Sequence, residues 1–369
     1  REFLANAQTK KYLGFYRYNN RLIFSYAVDG VEYLDAPQLV NGKFVSVALP
    51  RGKHPDREHL QGGKPQWPQT MDVQGQLGKT APYAIDTIPL PSDNPWKALV
   101  YGSGHDFLSD GSAVLCTMQG DVWRATGLDG LLEKVSWRRI ASGLFQPLGI
   151  AVHEDQIFVM GRDQLTRLHD LNDDGEIDFY ECFSRALEAS PGGHDFTCDL
   201  WRDAEGRFYT ASGKQGVMRI AADGQSAEVI ANGLRNSDGL GLTPDGLVTI
   251  PSSEGDWMPA SMIAAVRPDG PLLNRLTGKS PDGRGIPFFG RPGGSLKQPP
   301  EIPMLYLPRG VDNSSGGQVY VDSKRWGPVQ GQMVHLSFGA GRAFLLLRDE
   351  FDGCIQGAVT PIAGELASG

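Results

Sequence analysis

The feature that most constrains this chain is a recurring unit: an apolar strand, an acidic or glycine turn, a second strand, then a third. It is visible in HDFLSDGSAVLCTMQGDVWRA from His105, LGIAVHEDQIFVMGRDQLTRL from Leu148, CDLWRDAEGRFYTASGKQGVMRI from Cys198 and DGLGLTPDGLVTIPSSEG from Asp238. Equivalent positions Phe107, Ile150, Leu200 and Leu240 are 43, 50 and 40 residues apart, the length of one four-stranded propeller blade. Val319, in the next comparable strand, lies 79 residues after Leu240, so that interval holds an extra blade or a long insertion. The Pro- and Gly-rich run 267–303 favours an insertion. With Met333 to Leu347 and the strands before residue 100, the count comes to about six. The expected fold is all-β, a six-bladed β-propeller with a small N-terminal β meander and long loop insertions.

Composition agrees with many short strands joined by turns: 47 Gly and 25 Pro among 369 residues punctuate brief Val, Ile, Leu and Tyr runs. Residues 11–36 carry turn signals at Asn19-Asn20 and Asp29-Gly30 and read as an antiparallel meander. Residues 37–80 read as an irregular connection in which His54 and His59 are solvated. The expected division is 1–82 for the meander and connection, and 83–369 for the propeller. A net charge of −8 argues against nucleic acid or an anionic membrane surface as partner. No apolar run approaches the roughly 20 residues that cross a bilayer, so no direct membrane insertion is expected. The chain starts at Arg1 without a signal-peptide pattern and reads as a mature or excised piece. Cys116, Cys182, Cys198 and Cys354 form no C-x-x-C or C-x-x-C-H, which excludes a zinc ribbon, a thioredoxin-type centre and an attached c-type haem within these residues; spacing leaves open whether they pair.

The sharpest motif runs from Asp170 to Glu181, DLNDDGEIDFYE, which fits D-x-[DN]-x-[DN]-G-x5-E at every specified position. Asp170, Asn172 and Asp174 would offer side-chain oxygens and Glu176 its carbonyl. Asp178 would act directly or through water and Glu181 as a bidentate carboxylate, around the turn made by Gly175. Oxygen ligands at this density suit Ca2+. The flanking runs 156–160 and 165–168 read as strands, so the loop belongs to a β protein, where it would clip the structure and do no chemistry.

Propellers bind ligands at the axial mouth, on the loops leading into each innermost strand. Here those loops contain Gly104-His105-Asp106, Gln146 to Gly149, Gly193-His194-Asp195, Arg235 to Leu240 and Asp312 to Gly317. Arg235-Asn236 before a GLGL strand has no packing reason to be there. His105, His194 and His335 are candidate acid/base groups, and Trp96, Trp123, Trp201, Trp257 and Trp326 read mainly as blade-packing aromatics.

NGLRNSDGLGLTPDGL from Asn232, followed by SSEGDWMP, resembles the strand entrance and following turn of soluble PQQ-dependent glucose and sorbosone dehydrogenases, over roughly residues 90–345. DNPWKA, GDVW, DQLTRLHDLNDDGEIDFYE, DNSSGGQVYV and GQMVHLSFG are similar to segments of large planctomycete and verrucomicrobial membrane-bound dehydrogenase-like proteins, whose propeller precedes a c-type haem domain. The resemblance implies His194 as base, with Arg235 and Asn236 positioning substrate and quinone. It implies calcium near Gly255 and Asp256, and His105, Lys324 and Arg342 beside the cofactor. The leading expectation is a periplasmic or extracytoplasmic quinoprotein oxidising a sugar or related alcohol and passing electrons to a haem c partner. The alternatives are a non-catalytic glycan-binding or domain-docking propeller, and a calcium-dependent polysaccharide hydrolase or lyase using His105, His194 and His335.

Overall fold

The structure, a computed structural model, describes residues 7–193, 195–255, 260–269, 286–290 and 300–362. These residues build five consecutive four-stranded antiparallel meanders, each with its first strand innermost. Blade one comprises Gly102–Phe107, Ala113–Thr117, Asp121–Thr126 and Val135–Ser142; blade two comprises Gly149–His153, Gln156–Met160, Leu165–His169 and Phe179–Ser184. Blade three comprises Thr197–Arg202, Phe208–Ser212, Gly216–Ile220 and Ala227–Ala231. Blade four comprises Gly241–Leu242, Val248–Ser252, Ser261–Val266 and Leu305–Leu307. Blade five comprises Ser315–Tyr320, Met333–Ser337, Arg342–Phe351 and Cys354–Pro361.

The strand periodicity predicted these meanders because alternate side chains face opposite neighbours. In blade one, Val114 and Cys116 pack towards Ile150, Ile157 and Val159 of blade two, while Ala113 and Leu115 face the other way, towards Trp123 and Trp137. Comparable buried clusters join blades two and three, three and four, and four and five. Each core side chain so buried contributes about 1.5–3 kcal/mol. Ile263 pairs with Leu305, so the long interval after Leu240 is a connection inside blade four. Five blades are present among the described residues, against an expectation of six.

The N-terminal meander forms as expected, in strands Lys10–Tyr18, Arg21–Val28 and Val31–Asp35, but it joins the outer edge of blade two and makes one eight-stranded sheet. Gly14 pairs with Glu181, and Phe15 stacks on Tyr180 with centroids 4.4 Å apart. Gly14 has φ 131°, and a Cβ there would lie 2.1 Å from the Tyr180 carbonyl oxygen, so only glycine permits the approach. Thr70–Val73 likewise adds a fifth strand to blade one. The intervening histidines are not both solvated. His54 is buried, its Nδ1 accepting from the Asp56 amide at 3.1 Å and its Nε2 lying 3.1 Å from the Val47 carbonyl; His59 stacks on Tyr18 and pairs with Asp56. A polar surrounding sequence hid the side-chain caps that bring these rings inside.

Candidate active site

The first strands run outward from a common mouth, and their side chains and backbones stitch each blade to the next. The Val152 amide donates to Asp106 Oδ2 at 2.6 Å, joining blades one and two. The Asp199 amide donates to the Leu148 carbonyl at 2.9 Å, joining two and three. The Leu240 amide donates to Asp199 Oδ2 at 3.0 Å, and the Gln318 amide to the Leu240 carbonyl at 3.3 Å, carrying the chain of bonds into blades four and five. Asp199 is the hub. Its Oδ1 also accepts from the Leu200 amide and its Oδ2 from Trp201 Nε1 at 3.1 Å. Its backbone is left-handed at φ 62°, and a Cβ on Gly149 would stand 2.4 Å from its carbonyl carbon. Burial pushes the Asp199 carboxyl above the ordinary range, against the pull of its amide and indole donors and of nearby His105. Sequence reasoning missed this residue because it looked to loops. The available signal was an acid set between Cys198 and Leu200 in an otherwise apolar inner strand.

The mouth at the seam of blades four and five is organised around Glu254. Arg235 is anchored by its own backbone, donating from its amide to Ser252 Oγ at 2.9 Å and accepting from the Ser253 amide at 2.9 Å. Its exposed guanidinium then donates from Nη1 to the Glu254 carbonyl at 2.6 Å. Arg309, from the loop before blade five, grips the Glu254 carboxylate through Nε at 2.6 Å and through Nη2. That contact with Arg309 holds the Glu254 carboxyl below its usual range. Two arginines and one carboxylate therefore meet at one turn, and Arg309 is the second cation that sequence reasoning did not find. Asn236 follows with φ 43°, a conformation asparagine tolerates well. Gly255 lies on the same turn, whereas Asp256, Trp257 and His194 lie outside the described residues.

Other expected residues separate. His105 is exposed on the inner strand of blade one, edge-on to Phe107. Arg342 stands beside Ser337 at the mouth end of blade five, but Lys324 follows the far end of that blade's first strand, so the two do not converge. His335 is fully buried between Asp312, 2.7 Å from Nε2, and Gln318, 3.1 Å from Nδ1. Gln318 continues the network to Thr249 of blade four, and Ser315 and Ser337 complete the shell of Asp312. His335 touches no open surface and cannot act on a polymer, which removes it from the hydrolase alternative.

The loop from Asp170 to Glu181 connects the third and fourth strands of blade two at the end opposite the mouth. Gly175 makes the sharp turn at φ 82°. Asp170 accepts from the amides of Asp174 and Gly175, Asn172 from that of Asp174, and Asp178 from that of Leu171 at 2.9 Å. Burial, with neighbouring Asp174, Asp170 and Glu176, pushes the Asp178 carboxyl up to about 6. Asp174 accepts from the Glu176 amide at 2.9 Å within the loop, and two further carboxylates are engaged outside it. Glu176 caps the amides of Gln66 and Trp67 at 2.7 and 2.8 Å, and Glu181 binds Arg167 and His169 at 2.7 and 2.8 Å. Among the described residues no three His, Cys, Asp or Glu side chains are set to hold one ion. As it stands the side-chain oxygens of Asp170, Asn172, Asp174 and Asp178 accept from amides of the loop, and the Glu181 carboxylate is engaged by Arg167 and His169. The four cysteines are all free, three of them buried. Among the described residues no helix is long and apolar enough to cross a membrane.

No protein-family model matches the chain, and no curated protein matches it in sequence. Solved structures do match in fold. A protein described as an oxidoreductase (glucose dehydrogenase) from Thermus thermophilus is 15% identical with a TM-score of 0.52, over 72% of this chain and 84% of that one. The apo soluble aldose sugar dehydrogenase of Escherichia coli is 12% identical with a TM-score of 0.51, over 80% and 90%. The holo PQQ domain of pyranose dehydrogenase from Coprinopsis cinerea is 12% identical with a TM-score of 0.51, over 82% and 84%. The chain thus shares the propeller fold of sugar dehydrogenases, the resemblance read from its sequence.

Proposed function

We propose that the mouth binds a carboxylate-bearing quinone of the PQQ type and oxidises a sugar or related alcohol. The observation that carries this reading is the meeting of Arg235 and Arg309 at Glu254, where two guanidiniums against one carboxylate leave positive charge at the mouth for a tricarboxylate. PQQ, when bound, accepts the hydride that leaves the substrate carbon. Arg235 and Arg309 would hold its carboxylates, with Asn236, Gly255, Asp256 and Arg342 around it, and His105 would face it from blade one. His194 takes the hydroxyl proton as general base, a task suited to an imidazole with a pKa of about 6.5. Lys324, at the other end of blade five, is left out of this assignment.

In the same reading the propeller has six blades, residues 1–82 cover its outer edge and 83–369 carry the ligand. The protein works outside the cytoplasm and delivers electrons to a c-type haem partner. The sugar-dehydrogenase fold of the structural relatives supports an oxidoreductase over a docking module. The test is ultrafiltration of PQQ with the purified protein in calcium buffer, followed by dye reduction with a panel of aldoses and polyols. Retained quinone with turnover, and a tenfold or greater loss of retention in Arg235→Ala, is the expected result. Quinone passing the membrane freely, with no dye reduced by any sugar, would overturn the reading.

A further inference from the structure

The five blades share one bond at the mouth. In each, an amide one or two residues past the second strand donates to a carbonyl in the loop entering the first strand. The pairs are Met118 to Tyr101 at 3.0 Å, Arg162 to Phe145 at 2.9 Å, Gly213 to Phe196 at 2.8 Å, Ser253 to Arg235 at 2.9 Å and Phe338 to Ser314 at 3.2 Å. The entrance position that Arg235 holds on blade four is therefore held by aromatic rings on blades one, two and three. The match extends to the next residue on blades two and four, where Gln146 and Asn236 have φ 44° and 43°. Tyr101 and Phe145 are 61% and 54% exposed, and Phe196 is half-buried. Core packing does not account for rings left open to water at one backbone position on neighbouring blades. They give the mouth a row of flat apolar faces.

Arg162 links two of these positions. Its amide is bonded to Phe145, and its guanidinium lies 5.1 Å over the Phe196 ring, donating from Nη1 to Gln146 Oε1 at 2.9 Å and from Nη2 to the Gly192 carbonyl. Both acceptors are neutral, its buried Nε has no partner, and among the described residues no carboxylate pairs with it. A half-buried cation held by neutral oxygens keeps its charge for an incoming anion, and a guanidinium suits a carboxylate best. We propose, on the sugar-oxidising reading of the mouth, that the substrate is the end of an oligosaccharide in which the unit next to the oxidised sugar is a uronic acid. Its carboxylate pairs with Arg162, its ring stacks at Phe145 and Phe196, and the chain continues over Tyr101 on blade one. Flat aromatic faces edged by the side-chain amides of Gln146 and of Gln119, whose Oε1 accepts from the Tyr101 amide at 3.2 Å, match a ring with an apolar C–H face and hydroxyls around its rim.

The experiment is calorimetry of the 369-residue chain, without quinone, against trimers of galacturonate, glucuronate and mannuronate, their methyl esters and the monomers. At least one acid trimer is expected to bind about tenfold or more tighter than its ester and than its monomer. Arg162→Gln should shrink the preference for acid over ester to within about threefold, and Phe145→Ala should weaken the trimer about tenfold. Equal affinity for acid and ester, or trimers no tighter than monomers, would overturn the proposal. If a variant fails to fold, hydroxyl-radical footprinting of the wild type decides: the acid trimer should protect Tyr101 and Phe145 and spare Phe44 on the exposed hairpin 38–45. Protection of the two rings by a c-type cytochrome and by none of the trimers assigns this face to an electron acceptor and also overturns it. Because no quinone is present, free passage of PQQ in the ultrafiltration test sinks the dehydrogenase reading alone. Turnover of neutral sugars with no binding of acid trimers sinks this proposal alone.

Discussion

The two ends of the blades make a useful contrast. At the far end, the loop from Asp170 to Glu181 matches a calcium-binding pattern at every specified position, yet the carboxylate that would close the cage, Glu181, is held by Arg167 and His169. At the mouth no strict motif exists, yet Asp199 ties three blades together and two arginines meet at Glu254. A motif records which atoms a turn offers. Where those atoms go is decided by the donors that tertiary packing brings beside them, and a carboxylate with two buried N–H partners is already satisfied.

The contrast can be broken in four places. The largest effect is expected at Asp312, where Asp312→Ala strands buried His335 and should cost about 3–5 kcal/mol in urea denaturation. Burial opposes ionisation of Asp312, but bonds from His335, Ser337 and Ser315 outweigh it and hold the carboxyl below its ordinary value. Such a group stabilises the fold above the unfolded pKa of about 3.9 and loses that contribution as pH falls through the lower folded value. The stability difference between wild type and Asp312→Asn should therefore be flat near neutrality and shrink below about pH 4.

Next, Glu176→Ala removes the acceptor of the Gln66 and Trp67 amides and should cost roughly 2–3 kcal/mol by the same measurement. No loss would mean that the carboxylate is not holding the two ends of this corner together. Arg235→Ala, at an exposed residue, should change stability by less than about 1 kcal/mol while weakening quinone retention. A large fall in melting temperature would recast Arg235 as a structural clamp. The smallest effect is calcium at the far loop. With Glu181 engaged elsewhere, a Kd of about 1 mM is expected, so about 1 mM calcium stabilises by about 0.4 kcal/mol. Asp174→Ala should leave quinone retention unchanged. Micromolar affinity by calorimetry would show that Glu181 leaves Arg167 and joins the loop.

The blades were legible because inner strands such as 148–152 and 198–201 alternate between two buried faces and recur at blade length. Gly175 was legible as a turn because its φ is closed to most other residues. Arg235 was legible as an exposed turn residue, because a cation beside a turn asparagine has no packing role, and its guanidinium rests on the Glu254 carbonyl. Asp199 and Arg309 were not, since each gains meaning only from a residue on another blade, Leu240 and Glu254. The sheet edge taken by the N-terminal strand was equally hidden, because Tyr16 and Phe179 stack at 4.2 Å across a separation that no local pattern encodes.

That last pairing has a consequence for synthesis on the ribosome. The strand Lys10–Tyr18 is made before its partner Phe179–Ser184, which leaves the exit tunnel well over a hundred residues later. At about 5–20 residues per second the delay is on the order of 10–30 s. Throughout it, Tyr12, Phe15 and Tyr16 stand on an edge strand without its partner, a template for intermolecular pairing. The N-terminal hairpins are therefore the segment expected to depend most on chaperones during translation.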